Sequence, residues 1–194
     1  MRKSSPSGYP TLEQLTAELA REQYKSRYSR TLRSTIYILI VVAAVAVLLA
    51  TLLFPVFRIY GSSMSPTVIE GEIVVSMKGS SFECGDVVVL SFNNKLLVKR
   101  VIAAPGQLVD IDEAGNVYVD SKMIDEPYLQ EKAYGDVSIK LPYQVPEGKY
   151  FVMGDNRATS QDSRDAVVGC IVDEQIIGRA IFRIWPFSEA GALN

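Results

Sequence analysis

Ser63-Met64-Ser65-Pro66-Thr67, Lys99 and a polar run from Gly154 to Arg164 are the parts of this 194-residue chain whose residue types can do chemistry. Ser63 is a candidate nucleophile. Pro66 fixes its own φ and biases Ser65 toward an extended shape, so Ser63 and Met64 are expected on a stiffened stretch. The chain contains no histidine, which removes the serine–histidine–aspartate arrangement at once. The base that remains is a lysine whose pKa is lowered by desolvation.

Lys99 has the sequence context for that role. Leu97, Val101 and Ala103 recur at period two on its own side of a strand pattern, which makes that face the apolar one. Burial lowers a lysine from roughly 10.4 by several pH units, enough to supply a neutral amine. The same pattern also fits a lysine placed on an edge strand against aggregation, and the segment alone does not choose between the two. The third segment, Met153 to Arg164, is dense in hydroxyls and in charges of both signs. Gly154-Asp155-Asn156 reads as a tight turn, its Asp and Arg residues can pair with one another, and one of its hydroxyls can orient a buried amine. The plain alternative is a solvated loop.

The elements that must position these residues are short and rich in β-branched residues. Glu72–Met77, Asp86–Phe92, Lys95–Ile102, Asn116–Asp120, Lys149–Met153 and Gln175–Trp185 read as strands, with Asn93-Asn94 as a hairpin turn. Pro105-Gly106, Pro142, Pro146, Gly148 and Pro186 punctuate them. A mainly β domain is expected over 58–194, built as folded sheets or a barrel-like sandwich, with residues 121–146 as a surface insertion.

Ahead of this domain, Ile36 to Phe54, extended to Phe57, is an uncharged apolar run of about the 20 residues that cross roughly 30 Å of hydrocarbon. A transmembrane helix is therefore expected over 34–57. A buried core helix would carry a polar stripe, and a cleavable signal peptide would have a shorter apolar stretch nearer the N-terminus. Residues 1–33 form an N-terminal arm: 1–10, rich in Ser, Pro and Gly, are expected to be disordered, and Thr11 to cap a short helix carrying Leu12, Leu15 and Leu19. Arg21, Lys25, Arg27, Arg30 and Arg33 precede the span while only Arg58 closely follows it, so the N-terminus is expected in the cytoplasm and the β domain outside.

Composition narrows the classes further. A net charge of −2 argues against nucleic acid as a partner. With no histidine and only Cys84 and Cys170, a zinc site would have to rest on carboxylates. No phosphate-cradling or dinucleotide glycine motif is present. The chain reads as free of metal and cofactor. Outside the cytoplasm Cys84 and Cys170 are able to form a disulfide, and two free thiols fit as well.

Together the three segments resemble, in order and spacing, the sequence boxes of bacterial type I signal peptidases, in the single-span Gram-positive branch. Ser63-Met64-Ser65-Pro66-Thr67 is similar to the nucleophile box, Lys99 through Gly106 to the general-base box, and Gly154 through Arg164 to the last box. The resemblance implies Ser63 as nucleophile, Lys99 as general base and Ser160 as the hydroxyl that orients the lysine. It implies that Asp155 with Arg100, and Asp162 with Arg164, brace the site by ion pairs, with Arg157 among the bracing residues, and that the Ser63 N–H is an oxyanion donor. Met64, Pro66 and Thr67 complete the nucleophile box. The substrates implied are exported preproteins tethered by signal peptides at a lipid bilayer, cut after an Ala-X-Ala pattern, by a protein of the cell membrane.

Departures are visible. Gly61 stands where one branch of the family carries a hydroxyl oxyanion donor, Ala158-Thr159 replaces a common Asp-Asn, and an aromatic-Gly pair after the last box is missing. A competing reading is a non-catalytic assembly factor of similar fold that chaperones pilus subunits. Such relatives lack an intact dyad, whereas Ser63 and Lys99 are both present. A self-cleaving repressor would need a DNA-binding domain and no span.

Overall fold

The computed structural model describes residues 12–79 and 81–193; the expected disorder of residues 1–10 and the Thr11 cap lie outside them. Helix α1 runs unbroken from Leu12–Leu53, 42 residues or about 63 Å at 1.5 Å per residue. The short helix expected at Leu12 and the apolar span are thus one element, because no Gly or Pro interrupts the stretch before Pro55. It is long and apolar enough to cross a membrane, and none of it is buried. The helix stops at Leu53 rather than at 57. Pro55 lacks an N–H and disfavours helical geometry at Phe54, and Val56–Arg58 instead become strand β1. The chain divides into a helical unit ending at Leu49 and a β unit beginning at Ala50.

After β1 the β unit contains β2 Ile73–Met77, β3 Val87–Phe92, β4 Lys95–Ala103, β5 Leu108–Ile111, β6 Val117–Val119 and β7 Lys122–Met123. It continues with β8 Tyr143–Gln144, β9 Lys149–Met153, β10 Ile171–Val172, β11 Ile176–Trp185 and β12 Gly191–Ala192. The larger sheet has the order β1-β2-β11-β3-β4-β9-β10, with β12 also on β11; the smaller has the order β7-β6-β5-β8. Both are open, so the architecture is folded sheets and not a closed barrel. Asn93 and Asn94 take φ of 49° and 60°, the left-handed geometry of a two-residue hairpin turn between β3 and β4.

Both faces of the large sheet are covered, so β3 is buried from Val87 to Leu90 and does not alternate in and out. Val87 and Val89 pack with Ile59, Met64, Val68 and Val74; Val88 and Leu90 pack on the opposite side with Val101, Val152 and Ile171. A third cluster, including Ile102, Val109, Val117, Phe151 and Met153, joins the two sheets. Each fully buried side chain of this size contributes about 1.5–3 kcal/mol. The first cluster anchors the Ser63 turn through Met64 and Val68; the last holds the ends of β4 and β9.

Candidate active site

Ser63 and Met64 lie in hydrogen-bonded turns. Ser65 N donates to Ser62 O at 3.1 Å and Val68 N to Met64 O at 3.0 Å. Met64, 2% exposed, holds the turn onto the core. Just before it, Gly61 has φ of 83° with open space where a Cβ would stand. That left-handed backbone favours glycine and accounts for the missing hydroxyl at this position.

Lys99 is on β4, opposite Val88 of β3 and one residue before Arg100 meets Met153 at the end of β9, and is 3% exposed. Period-two reasoning puts it with Val101 and Ala103 inside, and all three are buried; Arg100 and Ile102 on the opposite face are buried as well. A lysine placed against aggregation would face solvent, so burial removes that reading although this part of β4 has a free edge among the described residues. Lys99 Nζ donates to Ser160 Oγ at 3.0 Å. Burial lowers its pKa from 10.5 to about 8, against the nearby negative charge of Asp162, which raises it. Ser63 and Lys99 open on one cavity of about 610 Å³, shared with Thr159 and Gln161.

The loop after β9 brings these groups together. A Cβ on Gly154 would stand 2.2 Å from Ser160 Oγ and 2.4 Å from Ser63 O, so the backbones of the nucleophile turn and the loop meet where only glycine fits. Asn156 N donates to Ser63 O at 3.0 Å, and Ser160 N to Asn156 O at 3.0 Å. Buried Asp162 accepts from Gly154 N at 3.0 Å. Ser163 Oγ accepts from Val152 N at 3.0 Å.

Both expected ion pairs form. Arg100 grips Asp155 with two bonds, 3.0 Å from Nε and 2.8 Å from Nη2, and Arg164 grips Asp162 at 2.9 Å through each of Nε and Nη2. Thr67 Oγ1 donates to Asp155 Oδ2 at 2.5 Å, which ties the nucleophile turn to the same carboxylate. Burial alone would raise the Asp162 pKa, but Arg164 and its other hydrogen bonds hold it below the usual carboxylate range.

Arg157 pairs elsewhere. Its partner is Glu126, in the stretch expected as a surface insertion, and both side chains are fully buried. Tyr128 from the same stretch places its ring 3.8 Å from the Arg100 guanidinium carbon. Neither was among the expected site residues. The one available signal was a count: Arg100, Arg157 and Arg164 outnumber Asp155 and Asp162, which leaves one arginine needing a carboxylate from outside the motifs. Cys84 and Cys170 are both free thiols.

A serine on a tight turn and a buried lysine amine bonded to a second serine open on one cavity, an arrangement that a serine–lysine type of hydrolase would need. Residues 32–185 match the family described as Signal peptidase, peptidase S26. A signal peptidase I of Bacillus licheniformis is 37% identical over 164 residues, covering 78% of this chain and 87% of that protein. A signal peptidase IB of Staphylococcus aureus (strain COL) is 41% identical over 153 residues, covering 69% of this chain and 78% of that protein. A solved signal peptidase I of Enterococcus faecalis V583 is 26% identical and covers 51% of this chain and 96% of that chain, with a TM-score of 0.44. This chain belongs to the signal peptidase family, peptidase S26. The family expected from the three motifs is the family found, and with it a peptidase that removes signal peptides.

Proposed function

We propose that the chain is a membrane-anchored endopeptidase that cuts signal peptides from exported preproteins with Ser63 as nucleophile and Lys99 as general base. The observation that carries this reading is the 3.0 Å bond from Lys99 Nζ to Ser160 Oγ, which holds an amine of lowered pKa on the cavity it shares with Ser63. Neutral Lys99 takes the Ser63 proton as Oγ attacks the scissile carbonyl. The oxyanion is met by the Ser63 N–H. Lys99 then passes the proton to the leaving amine, the C–N bond breaks, and an ester to Ser63 remains. Water, deprotonated by the same lysine, hydrolyses that ester and restores the serine.

Two features support an extended substrate. Beyond its pairing with β3, the Lys95–Lys99 part of β4 has no strand on its other edge among the described residues, because β9 joins β4 only at Arg100. A peptide can add there as a strand. An apolar cavity of about 520 Å³, lined by Phe57, Ile59, Met64, Val89, Leu96 and Val98, reaches Ser63 and suits short apolar side chains before the cut. α1 is assigned as the bilayer anchor, with its basic N-terminal part in the cytoplasm and the β unit outside. The mechanism uses no metal, cofactor or nucleic acid.

The test is cleavage of an exported preprotein in detergent by the parent, Ser63→Ala and Lys99→Ala. Cutting by the parent alone, after a small residue, is the expected result. A parent inert on several preproteins would favour the assembly-factor reading instead.

A further inference from the structure

Arg157 is the one buried arginine of the base loop whose partner the loop does not supply. Its Nε donates to Gly154 O at 3.2 Å, which closes the turn from within. Its far end reaches Glu126, 31 residues earlier in the chain, through both Nη1 and Nη2. Glu126 Oε1 also accepts from the Tyr128 hydroxyl at 3.1 Å, and the Tyr128 ring covers Arg100. One short segment, Glu126-Pro127-Tyr128, therefore holds two of the three arginines around the dyad. The contact continues along the insertion. Arg164 Nη1 donates to Tyr134 O at 2.8 Å, and Ser138 N to Arg164 O at 2.9 Å. Gly135 lies so close that a Cβ there would stand 2.5 Å from Arg157 O and from Arg164 Nη1.

We propose that the insertion is a strap across the base loop, and that Glu126 and Tyr128 are positioning residues which hold Ser160 against Lys99 by fixing Arg157 and Arg100. The proposal rests on the Ser63–Lys99 reading. The physical link is water. A guanidinium buried without its carboxylate must be solvated, so the loop has to open. Opening loosens Ser160 and hydrates Lys99, which moves the amine from about 8 back toward 10.5.

The experiment measures kcat and KM from pH 6 to 10.5 for the full-length chain in detergent micelles, with a peptide carrying an Ala-X-Ala cleavage site. The variants are Glu126→Gln, Glu126→Asp, Tyr128→Phe and Tyr128→Ala, with Lys99→Ala alongside. Glu126→Gln is expected to lose about tenfold in kcat near pH 8 with little change in KM. Its pH–rate inflection should move upward, so that part of the loss is recovered at pH 10. Tyr128→Ala is expected to shift the same way, and Tyr128→Phe, which keeps the ring on Arg100 but loses the bond to Glu126, to shift less. If Glu126→Gln does not fold, Glu126→Asp carries the test, with a smaller shift in the same direction. A rate loss equal at every pH, or an unchanged profile in folded variants, overturns the strap. Activity surviving in Lys99→Ala overturns the dyad instead, so the two failures are distinct.

Discussion

Replacing Lys99 by methionine should make the protein more stable while abolishing its activity. The folded state keeps this amine almost out of water, and its pKa falls from 10.5 to about 8. At about 1.4 kcal/mol per pH unit, holding the charged form costs the folded state about 3 kcal/mol. Between pH 8 and 10.5 the unfolded chain binds more protons at this position than the folded one, so stability rises with pH across that window. Below pH 8 the penalty is complete; above 10.5 it is gone. Methionine removes the charge at similar volume but forfeits the bond to Ser160, about 1 kcal/mol. The net expectation is a variant about 2 kcal/mol more stable below pH 7 and about 1 kcal/mol less stable above pH 10.5. Trp185, the only tryptophan, lies in β11 and reports unfolding of the β unit by fluorescence. The assay is urea unfolding of parent and variant in detergent across this pH range. Groups common to both proteins cancel in the difference between them. A difference that stays flat from pH 7 to 10.5, or a variant less stable at pH 6, refutes burial as what depresses the amine.

The remaining predictions are shorter. kcat/KM should climb as pH rises through about 8, where Lys99 loses its proton, and level off above it; a plateau already reached below about pH 6 would exclude Lys99 as base. Ser160→Ala should lower kcat about tenfold, leave KM near the parent value and cost about 1–2 kcal/mol in urea unfolding, because it takes the acceptor from the buried Lys99 amine and a hydrogen bond from Asp162. Asp155→Asn should destabilise the fold by about 3–5 kcal/mol, read by urea unfolding, because it strands the buried Arg100 guanidinium.

Much of the scaffold was legible in short windows. The six strand patterns correspond to β2, β3, β4, β6, β9 and β11 within a residue or so at each end, because β-branched runs between turn residues report local preference. The two-residue strands β7, β8 and β10 carry too little pattern to read and exist by pairing with a neighbour. The helix end was misplaced because hydropathy does not register that Pro55 breaks the backbone while the apolar residues go on to Phe57. The burial of Lys99 is legible only in part. Alternation placed it inward, yet its strand is buried on both faces at that point, which follows from the packing of β9 and the base loop and not from the period.

The sequence by itself determined which groups are candidates for the chemistry. The absence of histidine, the Ser63 box, Lys99 and the polar run with Ser160, Asp155 and Asp162 are statements about residue identity and order, and they hold whatever the chain's path. What only the tertiary structure decided is how the lysine amine is kept from water and which groups surround it. Desolvation is a property of everything packed around an amine, and a carboxylate 31 residues away in an irregular stretch has no period or spacing to announce it. Glu126 meets Arg157 because folding leaves that guanidinium no water, and a buried charge has to take its partner from wherever the fold brings one.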